Sequence, residues 1–442
     1  MKNHSRNRLT RRRFLGRTAA LASAGFALPS IVPTGVLGAA GRPGPNDQIA
    51  IGGIGIGRQG GGDVNYTAKL PGVRMVAMAD VNLPRARQIA KPFDAAVHQD
   101  YRQLLDRKDV DAIITATPEQ WRGIICIHAC QAGKDLYVEK PMSLTIHEGR
   151  QIVKAVRKYG RVFQTGSQQR SMSENHHGCE LVRNGVIGRV KRVIAHNYPT
   201  PWLCNLPAER LPDELDWEMW CGPAPLVPYH SQLQVPRGNP GWLSFRHFSG
   251  GEMTGWGSHG FDQVQWALGT DLTGPVELWT EGPALELPTY SDAESKNRGD
   301  QICSAPKVFM RYANGVEMEL GNGPMGGAIF IGEKGTITID RAKVESDPED
   351  LAYTKLDNPE IPLERSRNHQ QNWLDCIRSR KKPIADVEIG HRSATICHLG
   401  NIARMLGRKL QWDPIAEVFV SDDEANALLT RPHRKGYELP EV

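Results

Sequence analysis

From Gln48 onward, short apolar runs alternate with longer stretches of helical periodicity. Strands are predicted at 48–54, 73–79, 111–116, 136–138 and 161–164. Helices are predicted from Gly60 to Lys69, Tyr101 to Asp106, Trp121 to Gln131 and Ser143 to Lys158, with Thr145 as a cap and Glu148 three residues on. This βα alternation implies a parallel, doubly wound sheet. After Arg170 the pattern changes. A helix ends over Glu180 to Asn184, and Val190 to Tyr198 alternates like a strand. Residues 199–245 are rich in Pro and Trp with few periodic runs, which usually marks a functional segment. Trp202, Trp217, Trp220 and Trp242 read either as core or as platforms for sugar rings. Strand patterns then recur at 275–280, 307–312, 315–320, 328–331 and 335–339. Asn314-Gly315 and Lys334-Gly335 suit tight turns, so a meander is expected. His369 to Arg378 and Gly390 to Leu406 read as helices, and the polar end from Ile415 as a peripheral extension.

Charge changes the picture at the amino end. The chain of 442 residues has a formal net charge of +5. Seven Lys or Arg and no acid fall within residues 1–40, which leaves 47 basic against 49 acidic residues in the body. No basic excess remains there to attract nucleic acid or an anionic membrane. The run Thr10-Arg11-Arg12-Arg13-Phe14-Leu15, the apolar stretch to Leu37 and the small residues Gly38-Ala39-Ala40 are similar to a twin-arginine signal. The expectation is a periplasmic or exported protein that meets the membrane only through this segment and the export machinery. The eight cysteines are scattered, and His176-His177 near Cys179 lack further ligands at matching spacing. They read as surface residues, and no metal is expected.

Candidate chemistry sits where predicted strands end. Gly55-Ile56-Gly57-Arg58-Gln59-Gly60 is a G-x-G-x-x-G between a strand and a helix. Its glycines permit the turn, the approach of a pyrophosphate and close helix packing. Asp80 ends the second strand at the distance where an acid takes the adenosine ribose hydroxyls. An acid there favours NAD over NADP, although Arg85 and Arg87 lie close by. Thr117-Pro118 ends a third strand. Tyr137-Val138-Glu139-Lys140-Pro141 ends a fourth, because proline cannot continue a ladder. On its own the Glu139-Lys140 pair is a solvated surface pair or a proton carrier. Its register with the glycine loop favours the second.

These residues, with His128 to Lys134, Gly250-Gly251, His259, Asp262 and the stretch from His369 to Ala403, resemble the glucose–fructose oxidoreductase and inositol dehydrogenase family (Gfo/Idh/MocA). The resemblance implies an α/β chain: an N-terminal Rossmann dinucleotide-binding domain plus a C-terminal α+β domain with an open, mostly antiparallel sheet. The expected boundaries are a signal at 1–40, a linker at 41–47, the NAD-binding domain at 48–168, a substrate and oligomerisation domain at 169–410, and an extension at 411–442. It also implies tightly held NAD at Gly55, Gly57, Arg58, Gly60, Asp80, Thr117, Pro118, Glu139 and Lys140. Lys140 is the implied proton carrier, with His259 beside it. Arg170, Tyr198 and His259 are the expected substrate contacts. The implied reaction transfers hydride between the nicotinamide and a secondary alcohol of a sugar, sugar derivative or cyclitol. Redox-assisted glycoside cleavage and a sugar-binding protein without turnover are the alternatives, and a homodimer or homotetramer is expected. The chain departs from the family's pattern at Gly255, where many relatives carry aspartate, and at Gln120 and Arg122, where relatives have histidine.

Overall fold

The computed structural model describes residues 48–237, 241–291 and 302–442. The signal expected at 1–40 and the linker expected at 41–47 lie outside the described residues. A six-stranded parallel sheet in the order β3-β2-β1-β4-β5-β6 forms the first half. Its strands are β1 (Ile49–Ile54), β2 (Val73–Ala79), β3 (Ala96–His98), β4 (Ala112–Thr115), β5 (Asp135–Val138) and β6 (Phe163–Thr165). Helices α1 (Arg58–Thr67), α2 (Leu83–Ala90), α3 (Tyr101–Leu105), α4 (Glu119–Gln131) and α5 (Ile146–Lys158) connect them. β1, β4 and β5 are buried along their whole length, which explains their unbroken apolar runs. β1 pairs with β2 on one side and β4 on the other, so the strand order reverses there. A crevice opens at such a switch point beyond the carboxyl ends of the strands. The Thr145 hydroxyl accepts from the Glu148 amide at 3.1 Å and starts α5.

The second sheet has nine strands in the order β15-β14-β13-β7-β12-β11-β9-β16-β17. They are β7 (Val190–His196), β9 (Pro275–Glu281), β11 (Lys307–Tyr312), β12 (Glu317–Gly321), β13 (Ala328–Gly332), β14 (Thr336–Asp340), β15 (Lys343–Asp347), β16 (Leu410–Asp413) and β17 (Val418–Phe419). A separate short pair joins β8 (Leu203–Cys204) and β10 (Thr289–Tyr290). The expected meander is interrupted. β7 lies between β13 and β12 and runs parallel to β12, while the other pairs of the sheet are antiparallel. That insertion joins segments more than a hundred residues apart, and local alternation carries no trace of it.

Helices α6 (Ser173–Arg183), α7 (Trp217–Cys221), α8 (Glu252–Gly255), α9 (Gly257–Leu268), α10 (His369–Ser379), α11 (Val387–Leu406) and α12 (Asp423–Ala427) complete the chain. α11 is buried on nearly every side and packs against both α5 and α9. Its Val387 and Ala394 enter the core of the first sheet, and Ile396, Leu399 and Ile402 enter that of the second. Trp202, Trp217, Trp220 and Trp242 are all buried in a third core within the Pro- and Trp-rich segment.

Two expectations change. The end of the chain is not peripheral: β16 pairs with β9, and Tyr437 and Leu439 pack on the core around α4. The Tyr437 ring meets Trp121 at 5.5 Å. His176 is not at the surface but buried, with its Nε2 3.2 Å from the Leu363 carbonyl. Among the described residues, no helix is long and apolar enough to cross a membrane.

Candidate active site

A cleft of about 600 Å³ opens beyond the carboxyl ends of β1, β2, β4 and β5. At its floor, Gly55 has φ +66°, and a Cβ there would lie 2.3 Å from Thr117 Cγ2. A Cβ on Gly60 would lie 2.6 Å from the Gly55 carbonyl oxygen, so α1 and the turn after β1 can touch only through glycine. Gly57 faces open space, with Arg85 Nη1 at 3.8 Å as its nearest neighbour. It caps α1 with no side-chain hydrogen bond, so the first amides of the helix are left for an anion. Arg58 lines the cleft beside it.

Asp80 follows β2 and is buried. Its Oδ1 accepts from the Asn82 amide at 2.9 Å and stands 3.5 Å from Arg85 Nη1. Burial pushes its carboxyl upward, while the Arg85 guanidinium and the amide pull it back. Thr117 and Pro118 line the same wall, and the buried Thr117 hydroxyl has no partner among the described residues. Part of the Trp-rich segment crosses this rim. The Leu83 amide donates to the Glu214 carbonyl at 3.1 Å, the Asp216 amide to Val81 at 3.0 Å, and Trp121 Nε1 to Met219 at 2.8 Å.

Lys140 sits past the end of β5, partly open to the cleft. Its Nζ donates to the Gly255 carbonyl at 3.1 Å. Burial lowers its pKa most; the Glu139 charge opposes this, and Arg237 and Arg122 add to it. Glu139 is buried, and its Oε1 accepts from Gln168 Nε2 at 2.6 Å. Burial raises its carboxyl; burial first, and then the Glu139 charge, pushes Asp63 on α1 up to about 9.

His259 lies on α9 at 5% exposure, with its ring 5.7 Å from Trp256. Its Nδ1 is buried without a partner among the described residues. Burial, followed by the charges of Lys140, Arg341 and Arg237, holds the imidazole well below its ordinary value. Trp256 lines the cleft, and His259 stands behind it rather than on the wall.

Arg170 and Tyr198, expected at the substrate, belong to the scaffold. Arg170 is 2% exposed; its Nε donates to Asp262 at 2.8 Å and its Nη2 to Asp271 at 2.6 Å. The guanidinium is consumed in an internal pairing. The Tyr198 hydroxyl donates to the Met325 carbonyl at 2.6 Å, and a Cβ on Gly260 would lie 2.2 Å from that oxygen. Tyr198 thus supports the helix that carries His259.

Other residues escaped sequence reasoning. Glu119, at the first position of α4, is fully buried. It accepts from the Ser249 hydroxyl at 2.6 Å, the Gly250 amide at 3.0 Å and the Thr254 hydroxyl at 3.1 Å. Arg122 donates from Nε to the Thr117 carbonyl at 3.0 Å and from Nη1 to Pro141, which ties the ends of β4 and β5 together. Arg237 and Glu252 form a two-pronged ion pair at 2.6 and 2.8 Å. A Cβ on Gly255 would lie 2.7 Å from Glu252 Oε2 and 2.9 Å from Arg237 Nη2. The pair therefore fills the space that a side chain at 255 would claim. Glu119 had a signal in its position directly after Thr117-Pro118, and Arg122 and Gly255 had one in their departure from the family's pattern; Arg237 and Glu252 had none.

Residues 49–167 match a family model described as an oxidoreductase family with an NAD-binding Rossmann fold, and residues 179–439 match the same family's C-terminal alpha/beta domain. The chain belongs to the Gfo/Idh/MocA oxidoreductase family. Within it, the chain is 26% identical over 246 residues to the uncharacterized oxidoreductase YrbE of Bacillus subtilis, covering 55% of this chain and 60% of that protein. It is 30% identical over 167 residues to a glycosyl hydrolase family 109 protein of Shewanella pealeana, covering 33% of this chain and 36% of that protein. These matches span a third to three-fifths of the curated relatives' length. Among solved structures, the WlbA dehydrogenase from Bordetella pertussis, in complex with NADH and UDP-GlcNAcA, superposes with a TM-score of 0.58. The two are 18% identical, and the superposition covers 83% of this chain and 99% of that one. The fold is thus a Rossmann-like parallel sheet followed by a mixed-sheet domain. The open Gly57 amide end, the Gly55 and Gly60 contacts and the buried Asp80 fit a nicotinamide dinucleotide.

Proposed function

We propose that this oxidoreductase uses NAD to oxidise a secondary alcohol of a sugar, sugar derivative or cyclitol, with Lys140 as the acid–base residue. The observation that carries this reading is the state of Lys140. Its amine is held at the cleft by one neutral carbonyl, and burial disfavours its charged form. A neutral amine in that position can accept the hydroxyl proton. Bound nicotinamide supplies the acceptor for the hydride that leaves the same carbon, so the alcohol becomes a ketone and no other oxidant is needed. His259, with its unpartnered Nδ1, would polarise the substrate oxygen once Trp256 yields to substrate. Glu139, fixed by Gln168, keeps a carboxylate beside the lysine. Asp80 supports NAD over NADP, because a 2′-phosphate would meet a buried acid.

The rim contacts at Val81 and Leu83 support a cofactor that stays bound. The Arg11-Arg12-Arg13 segment supports export of the folded, loaded protein. The face of the second sheet that carries the stacked Trp279 and Phe309, 5.4 Å apart, supports a homo-oligomer. Mass spectrometry of the nucleotide carried by purified protein tests the reading. NAD at near one equivalent is expected, with sugar-dependent NADH absorbance. Protein that carries no nucleotide and binds none would sink it.

The similarity to the Shewanella pealeana protein favours a second reading, in which transient oxidation loosens a glycosidic bond and the hydride returns. Release of p-nitrophenol from p-nitrophenyl glycosides without net NADH would identify that route.

A further inference from the structure

The tail after Leu429 does not line the cleft, yet it holds an element that does. That element is the short helix α7 with the residues before it, Glu214 to Asp216. Asp80 marks the adenosine end of a dinucleotide site. Around it the cleft is lined by Val81 and Gln99 from the loops after β2 and β3, by Trp121 from α4, and by Met219 and Trp220 from α7. The second half of the chain thus builds one wall of this end.

α7 is held down at three places. At the rim, Asn82 and Leu215 form an antiparallel bridge, and the Leu83 and Asp216 amides donate across it. Gln99 Nε2 donates to the Val81 and Glu214 carbonyls, and Arg87 pairs with Glu214 at 2.7 Å, with both side chains about half exposed. At α4, Trp121 Nε1 donates to the Met219 carbonyl at 2.8 Å and Gln120 Nε2 to that of Trp220 at 3.2 Å. Gly222, at φ +53°, lets the chain lie against Trp121, since a Cβ there would stand 2.3 Å from the indole. The third place is the tail. Arg434 donates from Nε to the Gly222 carbonyl at 2.8 Å and from Nη2 to the Glu218 carbonyl at 2.9 Å. Its Nη1 pairs with the Glu218 carboxylate at 2.8 Å, and the Tyr437 hydroxyl donates to the same carboxylate at 2.6 Å.

These attachments are polar, whereas Trp217 and Trp220 of α7 stack at 4.5 Å within the third core. Such a helix stays intact as a unit while its attachments break and re-form. We propose that α7 is a clasp over the adenosine end of the cleft and that the C-terminal tail sets how often it opens. Arg434 and Tyr437 then govern exchange of the dinucleotide without touching it. This rests on the nicotinamide dinucleotide reading above and adds the control of exchange at that site. Because the tail meets no part of the cleft, loosening it opens the clasp alike with the site empty or filled. Entry and exit quicken together, and affinity changes little.

The test uses full-length protein, freed of nucleotide and reloaded with NADH. Release is timed by trapping freed NADH with lactate dehydrogenase and pyruvate, and entry by NADH fluorescence on rapid mixing. Opening is read separately by hydrogen exchange of the 214–222 amides. Arg434→Gln and Tyr437→Phe should each raise both rate constants about 3- to 10-fold, leave Kd within about 2-fold and quicken exchange at 214–222. Asn82→Cys combined with Leu215→Cys places two thiols across the bridge. Once oxidised, that pair should slow entry and release by about 10-fold or more, and reduction should restore them. Release that quickens while entry does not, wild-type rates in both tail variants, or free exchange in the oxidised pair overturns the proposal. Quickened hydrogen exchange at 214–222 in tail variants of a protein that takes up no dinucleotide keeps the clasp and sinks the nicotinamide reading instead.

Discussion

Lys140 owes its chemistry to what surrounds a single amine. A lysine on the surface would be charged across the physiological range. Here burial comes first, and Arg237 and Arg122 press in the same direction, against Glu139. The sign of the pH dependence follows. A base works in its neutral form, so kcat/KM should rise with pH through a lysine pKa below the ordinary 10.5 and then level off. Arg237→Gln removes one of the charges that lower it and should move that limb to higher pH. A limb that stays in place in the variant would detach the titration from Lys140. At this scale the sequence was informative for the placement of Gly55, Gly57, Asp80 and Lys140, which line one cleft at the strand ends. It was misleading for Arg170 and Tyr198, because nothing local distinguishes a guanidinium free for substrate from one already claimed by Asp262 and Asp271. Gly255 looked like a loss of function. The structure instead gives its space to the Arg237–Glu252 pair, which no motif marks.

Among the elements, α4 and α11 hold the two sheets in register. α11 does so by apolar burial on both sides. α4 does so through one carboxylate, Glu119, whose acceptors take the hydroxyls of Ser249 and Thr254 and the Gly250 amide. Those partners lead directly into α8, whose Gly255 carbonyl receives Lys140. Removal of the carboxylate leaves the Ser249 hydroxyl and the Gly250 amide without this acceptor, while the Thr254 hydroxyl keeps the Gly251 carbonyl at 3.0 Å. Glu119→Ala should cost about 3 kcal/mol in urea unfolding, and Glu119→Gln, which keeps one acceptor, markedly less. If both variants unfold with the wild-type midpoint, Glu119 is not a brace between the sheets. Five strands of the first sheet were legible because each βα unit repeats a local pattern, but the three-residue edge strand β3 and the helix α2 before it were missed. The order of the second sheet was not legible, because β7 enters between β12 and β13 from more than a hundred residues earlier.

Over the whole molecule, the segments that sequence left vague cover the site. The Pro- and Trp-rich stretch has its own aromatic core, with Trp217 and Trp220 stacked at 4.5 Å, and it bonds to the rim beside Asp80. The tail continues the second sheet and returns to α4 through Tyr437 and Trp121, with Arg434 Nε donating to the Gly222 carbonyl after α7 at 2.8 Å and His433 standing 3.0 Å from Glu148 on α5. The Pro- and Trp-rich stretch lines the cleft and accords with a retained cofactor. The central claim rests on Lys140 as proton acceptor in that cleft, and Lys140→Ala tests it most directly. Sugar-dependent NADH formation is followed in protein whose bound nucleotide has been counted by mass spectrometry. The account predicts NAD occupancy equal to wild type and a kcat lower by about 100-fold or more. Turnover at the wild-type rate in the loaded Lys140→Ala protein would contradict it.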